Sequence, residues 1–180
     1  MASELIVQTL KGPTSGANAN KILLGSGQTL IGGSGQVLKV QHKRWSDETT
    51  NSSTSYADAT GSSFSYTPVS SNSSLLITTS LSVYSTDGDG NGTGVVTSLL
   101  VDSTPQDLPG DGYENFFVFD NSTACSIYLR EHKEYLVSNT VTSARDIKVQ
   151  FRKYSSNDSE ARINRGGLFY SSITVMEIAG

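Results

Sequence analysis

From about residue 37 onward, side chains alternate between apolar and polar with a period of two, and no stretch holds a helical repeat for as long as about three turns. That pattern limits the chain to extended strands that bury one face. The clearest run is Leu75 to Tyr84, where Leu75, Ile77, Leu81 and Val83 fall on one side and Thr78, Ser80 and Ser82 on the other. Such a strand is expected at the centre of a sheet. Val37-Leu38-Lys39-Val40-Gln41-His42 repeats the pattern, with Leu38 and Val40 expected inward and Lys39 and Gln41 outward.

Further strands are expected over Ser63–Thr67, ended by Pro68, and over Val95–Val101, Phe116–Phe119, Ser126–Leu129, Tyr135–Val137, Ile147–Arg152 and Leu168–Ile178. The Gly-rich turn Asp87–Gly92 predicts an antiparallel hairpin between the strands on either side of it. Asp47–Gly61 and Asp102–Gly112, the latter with Pro105 and Pro109, read as loops. About eight strands joined by polar turns predict an all-β fold, an antiparallel β-sandwich of jelly-roll type. In 180 residues one such domain has room for a full core without crosslinks. Cys125 is the single cysteine, so no internal disulfide forms, and it reads as a small buried hydrophobe.

Residues 1–36 are different in kind. Leu5, Val7, Leu10, Ile22, Leu23, Leu24, Leu30 and Ile31 are scattered among Gly, Ser and Asn, and no aromatic residue occurs. This stretch lacks the material for a core of its own, and reads as an extended arm for attachment or oligomerisation ahead of a sandwich domain over 37–180. The glycines from Gly25 to Gly35 lack the Lys-Ser/Thr and strand-turn-helix context of a phosphate loop, and read as linker.

Charge excludes several functions. The formal net charge is −4, with Lys and Arg spread from Lys11 to Arg165, which argues against a nucleic-acid partner. No run of about 18 apolar residues is present, so membrane insertion is not expected, and the first residues do not read as an export signal. Without a secretory route, the Asn-x-Ser/Thr sites at Asn51, Asn72, Asn91, Asn121 and Asn157 read as chance in a Ser- and Thr-rich chain.

Candidate chemistry is sparse. Asp87, Asp89 and Asn91, followed by Gly92, match the first half of a calcium loop, in which oxygen ligands alternate and glycine permits the turn; Ser98 stands where a bidentate Glu would close it. Ca²⁺ is accordingly the one ion the sequence offers a place for, and no other cofactor is expected. Asp102, Asp107, Asp111 and Glu114 form a second acidic group, read as solvated loop charge. His42 and His132 lie at no metal-ligand spacing from other donors, and no catalytic triad is assigned. Trp45, Tyr56, Tyr84, Tyr113, Tyr128 and Tyr135 would stack on sugar rings where exposed and pack in the core where not. A polysaccharide depolymerase would need paired carboxylates across a groove, with Asp111 or Glu114 as candidates.

The opening Leu5–Ile22 with Ser26–Leu30 resembles the N-termini of virion proteins from tailed phages of marine cyanobacteria. So do Val37–Gln41, Asp58–Gly61 leading to Ser65–Pro68, Ile163–Arg165 and the ending Ser172–Ile178, which together cover nearly the whole chain. The resemblance implies a non-enzymatic structural protein, a homotrimer displayed on the virion and assembled in the host cytoplasm. Its partners would be copies of itself, a major capsid or tail protein and, for a receptor-binding fibre tip, a host surface glycan. No internal repeat of the kind found in long fibre shafts is present, so a capsid decoration protein or a short fibre fits better.

Overall fold

The computed structural model describes residues 34–87, 93–106, 117–118, 126–156, 158–167 and 169–180. The chain divides into two compact units, Met1–Gly32 and Gly33–Gly180. The division falls slightly before the boundary expected after Gln36. Gly35 N–H donates to the Ala179 carbonyl at 2.9 Å and Ala179 N–H to the Gln36 carbonyl at 2.8 Å, so these residues extend the first strand of the sandwich.

The strands are β1 (Val37–Trp45), β2 (Thr49–Asn51), β3 (Ala57–Asp58), β4 (Phe64–Tyr66), β5 (Ser73–Asp87), β6 (Thr93–Val101), β7 (Thr104–Pro105), β8 (Phe117–Val118), β9 (Ser126–Asn139), β10 (Arg145–Lys153), β11 (Asp158–Ile163) and β12 (Ser171–Ala179). A single 3₁₀ turn, Arg165–Gly167, separates the last two. All pairings are antiparallel. In the first sheet β5 is flanked on one side by β12 and β11, which carry β1 and β2 outward, and on the other side by β9. In the second sheet β10 pairs with β3, β4 and β6, and β6 continues to β7 and β8.

The two sheets meet across one core. Trp45, Leu75, Ile77, Leu81, Val83, Ile163, Ile173 and Val175 come from the first, and Tyr66, Val95, Leu99, Val101, Ile147, Val149 and Phe151 from the second. The inward set predicted for the long central strand is the one observed. β6 is buried at every position, on both of its faces, which is why Val95-Val96 and Leu99-Leu100 appear as adjacent apolar pairs instead of alternating.

Several expectations are corrected. β5 and β6 are not a hairpin, because they lie in opposite sheets and do not pair with each other. Two neighbouring apolar runs show only that each is buried, and here each is buried against the other instead of beside it. The charged stretch Arg130–Glu134 does not separate two strands; β9 runs through it unbroken, with β5 supplying a continuous ladder from Thr86 to Ser73. Asp47–Gly61 contains β2 and β3, and Pro105 sits in β7 at a sheet edge, where its missing N–H is tolerated. Phe169 and Tyr170 precede β12 and are exposed. β11 was not anticipated.

The phase of β1 is also reversed. A bulge between Val37 and Lys39 turns Lys39, Gln41 and Lys43 inward with Trp45, and leaves Val40 53% exposed. β1 and β4 are edges of the two facing sheets. Lys39 Nζ donates to the Thr67 carbonyl at 2.8 Å, Gln41 Nε2 to Ser65 at 3.4 Å and Lys43 Nζ to Ser63 at 2.8 Å. Long polar side chains thereby satisfy carbonyls along the β4 edge and close that side of the sandwich.

Candidate ligand-recognition surface

Because alternate residues of a strand face opposite ways, the outer face of the first sheet can be read across its strands from the register. One row is apolar: Val40 of β1 lies opposite Met176 of β12, Met176 opposite Leu76 of β5, and Leu76 opposite Leu136 of β9, which is 71% exposed. Toward the β11 end the same face becomes aromatic and cationic. Tyr84 of β5 lies opposite Tyr128 of β9, with ring centroids 4.7 Å apart, and Phe169 approaches Tyr128 at 6.3 Å.

Guanidinium groups lie against these rings. Arg165 sits 4.0 Å from the Tyr84 centroid and 5.1 Å from that of Tyr128. Tyr170 has two such neighbours, Arg44 of β1 at 3.3 Å and Arg130 of β9 at 4.6 Å. Arg130 is further anchored, with Nε donating to Ser80 Oγ at 3.0 Å and one Nη to the Tyr170 carbonyl at 2.7 Å. Arg162 is different, since it is neutralised by Glu48 at 2.7 Å and Glu160 at 2.6 Å. Arg44, Arg130 and Arg165 make no ion pair among the described residues, so a protein of net negative charge carries a local cationic surface here. Burial pushes the Tyr84 hydroxyl up, but hydrogen bonds with Ser126, Arg165 and Thr86, together with the Arg165 charge, outweigh it and hold the group below its ordinary value.

Tyr128, Phe169, Leu129, Arg130 and Ser82 line a shallow open recess of about 230 Å³. Aromatic faces beside oriented guanidinium donors suit a planar or ring-shaped ligand carrying carboxylate or sulfate, since the rings give stacking area and each guanidinium offers a bidentate fork.

Other candidate residues are dispersed. Asp87 ends β5 opposite Asp158, while Asp89 and Asn91 lie outside the described residues. Asp158 is buried, and burial pushes its carboxyl up despite the bond it accepts from Ser155 N–H at 2.8 Å; its Oδ1 finds no partner among the described residues. Among the described residues no three His, Cys, Asp or Glu side chains gather where they would hold a metal. Asp102 is committed to structure: it opens the turn after β6 with φ 51°, accepts from Arg145 Nε at 2.8 Å and from Asp146 N–H at 2.9 Å, and these bonds with the Arg145 charge overcome burial to lower its carboxyl. Asp107, Asp111, Glu114, Tyr113 and Cys125 lie outside the described residues.

His42 is on the outer face, its Nδ1 2.9 Å from Thr174 Oγ1, and His132 is exposed on β9. Trp45 is in the core, Tyr135 packs against the core, and Tyr56 is exposed under Arg152. Tyr128 is thus the predicted aromatic exposed on this surface, with Tyr84 buried beneath it at 5% exposure. Arg44, Arg130, Arg165, Phe169 and Tyr170 escaped the sequence reading. The available signal was the parity of Tyr84 within a strand whose other phase is the core.

No family model matches the chain, and no curated protein sequence matches it. Among solved structures, dimeric latent PorU from Porphyromonas gingivalis shares 10% identity over 89% of this chain, with a TM-score of 0.32. This chain spans 15% of that protein's length, and a likeness of this size carries no argument about fold or function. Among the described residues no helix is long and apolar enough to cross a membrane.

Proposed function

We propose that this chain is a non-enzymatic structural protein of a tailed-phage particle, displayed on the particle surface and attached through residues 1–36. Its domain is a jelly-roll sandwich that presents the Arg–Tyr face to an acidic glycan of the host surface. Strand order supports the architecture. The first strand lies beside the last, then come β5 and β9, while β4, β10, β6 and β7 make the facing sheet, so the chain alternates between sheets as it does in a jelly roll.

The observation that carries the recognition role is the cluster Arg44, Tyr170 and Arg130, an exposed ring with guanidiniums 3.3 Å and 4.6 Å from its centroid, together with Arg165 at 5.1 Å from the Tyr128 ring. Recognition of this kind favours a short fibre tip over a capsid decoration protein. Two measurements test the reading. Quantitative mass spectrometry of purified particles should find the chain at a few tens of copies or fewer; hundreds would assign it to capsid decoration, and absence would refute a virion role. Arg165→Ala with Tyr128→Ala should weaken binding to sulfated or uronic-acid polysaccharide by about 10-fold or more, given ~0.5–2 kcal/mol per stacked or cation–ring contact. Equal binding by this variant, or equal binding to neutral glycan, would remove the recognition role.

A further inference from the structure

At the end of the sandwich where β5 stops and β6 and β11 start lies the one buried carboxylate oxygen that lacks a partner among the described residues. Asp158, the first residue of β11, is 2% exposed, and its Oδ1 makes no hydrogen bond. Burial pushes this carboxyl up, and the bonds it takes from the N–H groups of Ser155, Gly94 and Tyr154 and from the Thr93 hydroxyl do not offset that. The neighbouring ammonium is directed elsewhere: Lys153 Nζ donates to the Ser156 carbonyl at 3.0 Å and to the Asp158 carbonyl at 2.8 Å. A buried carboxylate in this position calls for a positive partner.

Neutral oxygens crowd the same place. Ser85 and Thr93 are both buried, and Ser85 Oγ lies 2.5 Å from Thr93 Oγ1 and 3.2 Å from each of the Gly94 and Glu160 carbonyls. Together with the bond from Thr93 to Asp158 these make four contacts between oxygens, and the two hydroxyls carry one proton each. Oxygens therefore approach one another here without a proton between them. That is the arrangement around a calcium ion, where ligand oxygens at ~2.4 Å from the metal stand about 2.8–3.4 Å from their neighbours in the shell.

We propose that this cluster is a structural calcium site, with Asp158 as the charged ligand and the Ser85 and Thr93 hydroxyls and the Gly94 and Glu160 carbonyls as neutral ones. The register sets Asp87 opposite Asp158, which brings a second acidic residue to the same rung. Asp87 also opens the sequence whose alternation matches the first half of a calcium loop. Ser98, where that loop needs its closing carboxylate, lies within β6, and Asp158 supplies the carboxylate from β11 instead. Hydroxyl and carbonyl oxygens complete the shell, so the site needs no trio of acidic side chains. Calcium suits ligands drawn from three separate strands, because it accepts an irregular shell, whereas magnesium demands a near-ideal octahedron. The ion ties β5 and β11 of the first sheet to β6 of the second, and the site holds or fails independently of any glycan binding.

Calorimetric titration of calcium chloride into the intact, EDTA-treated and dialysed chain, with melting followed by circular dichroism, tests the site. Calcium should bind with a Kd of about 0.1–1 mM or tighter. At about 10 mM it should raise the melting temperature by about 4 °C or more over that in EDTA. Asp158→Asn keeps the shape and removes the charge, so it should melt no lower than the native chain in EDTA and lose the calcium response. Thr93→Val should weaken calcium binding about 10-fold or more. Asp58→Asn, which changes a carboxylate held by Lys148 on the facing sheet, should leave it unchanged. A native chain with no calcium response would mean that water or a proton satisfies Oδ1, and would overturn the proposal. A response retained in Asp158→Asn would place the ion elsewhere and overturn it equally; should that variant fail to fold, undiminished binding by Thr93→Val would do the same.

Discussion

Glu177 shows how one residue can tie the two sheets together. It belongs to the inward face of β12, with Ser171, Ile173 and Val175, and is fully buried. Its carboxylate accepts from Val69 N–H at 2.8 Å, Ser70 N–H at 2.9 Å, Ser73 Oγ at 2.9 Å and Tyr66 Oη at 3.1 Å. Burial pushes the carboxyl up, but these four donors outweigh it and hold the group below its usual range, while burial first and then the Glu177 contact push the Tyr66 hydroxyl up. A carboxyl lowered on folding contributes stability above its unfolded value near 4.3, and that contribution is lost as pH falls through the folded value. Glu177→Gln replaces an acceptor oxygen with an NH₂ facing donors, so it should cost about 2–3 kcal/mol at pH 7. The difference from the native chain should shrink at pH 3. Urea melts at both values measure this, and equal losses at the two would rule out the carboxylate as its source. Asn164 serves a comparable role at the other end of β12, buried with φ 56°, donating to the Trp45 carbonyl at 3.2 Å and accepting from Ser171 Oγ at 2.8 Å.

At the scale of elements, alternation reveals that a segment is extended and which residues share a side, but not always which side is inward. In β5 the phase was legible because one side carries Leu75, Ile77, Leu81 and Val83 and the other mostly hydroxyls. In β1 it was not, because an edge strand at the open side of a sandwich has carbonyls of the facing sheet within reach, and Lys39 and Lys43 satisfy these better than valines would. Trp45 was the signal: counted back in twos from that bulky ring, the inward set is Lys43, Gln41 and Lys39. Partner choice was less legible still, since β5 and β6 are adjacent in sequence yet opposite in space. The cation–aromatic surface was hidden for the same reason, as Arg44, Tyr84, Arg130, Arg165 and Tyr170 come together only through the register of β1, β12, β5 and β9. Replacing Lys39 and Lys43 with Met should leave the strands in place but uncap Thr67 and Ser63, lowering stability by about 1–2 kcal/mol in total. Amide exchange over 63–67 should quicken while that of β5 stays protected; an unchanged profile would mean that water satisfies those carbonyls equally well.

For the whole molecule, what matters is how much of its cohesion lies within the sandwich. Among the described residues the core cluster runs from Trp45 to Val175, and both sheets contribute to it. The strands that close the fold, β1 beside β12 and β9 beside β5, complete the ladder within Gly33–Gly180. Removing residues 1–32 while keeping Gly35 and Gln36, which pair with Ala179, should leave a cooperative domain whose melting temperature moves by no more than about 3 °C, equivalent to about 1 kcal/mol for a chain of this size. Calorimetry of the truncated chain decides this. A broad or absent transition would mean that the apolar residues of the first unit supply part of the fold's own stability, and would reassign them from attachment to the core. If the transition survives, the sandwich is self-sufficient and residues 1–32 are left to hold the protein to its particle.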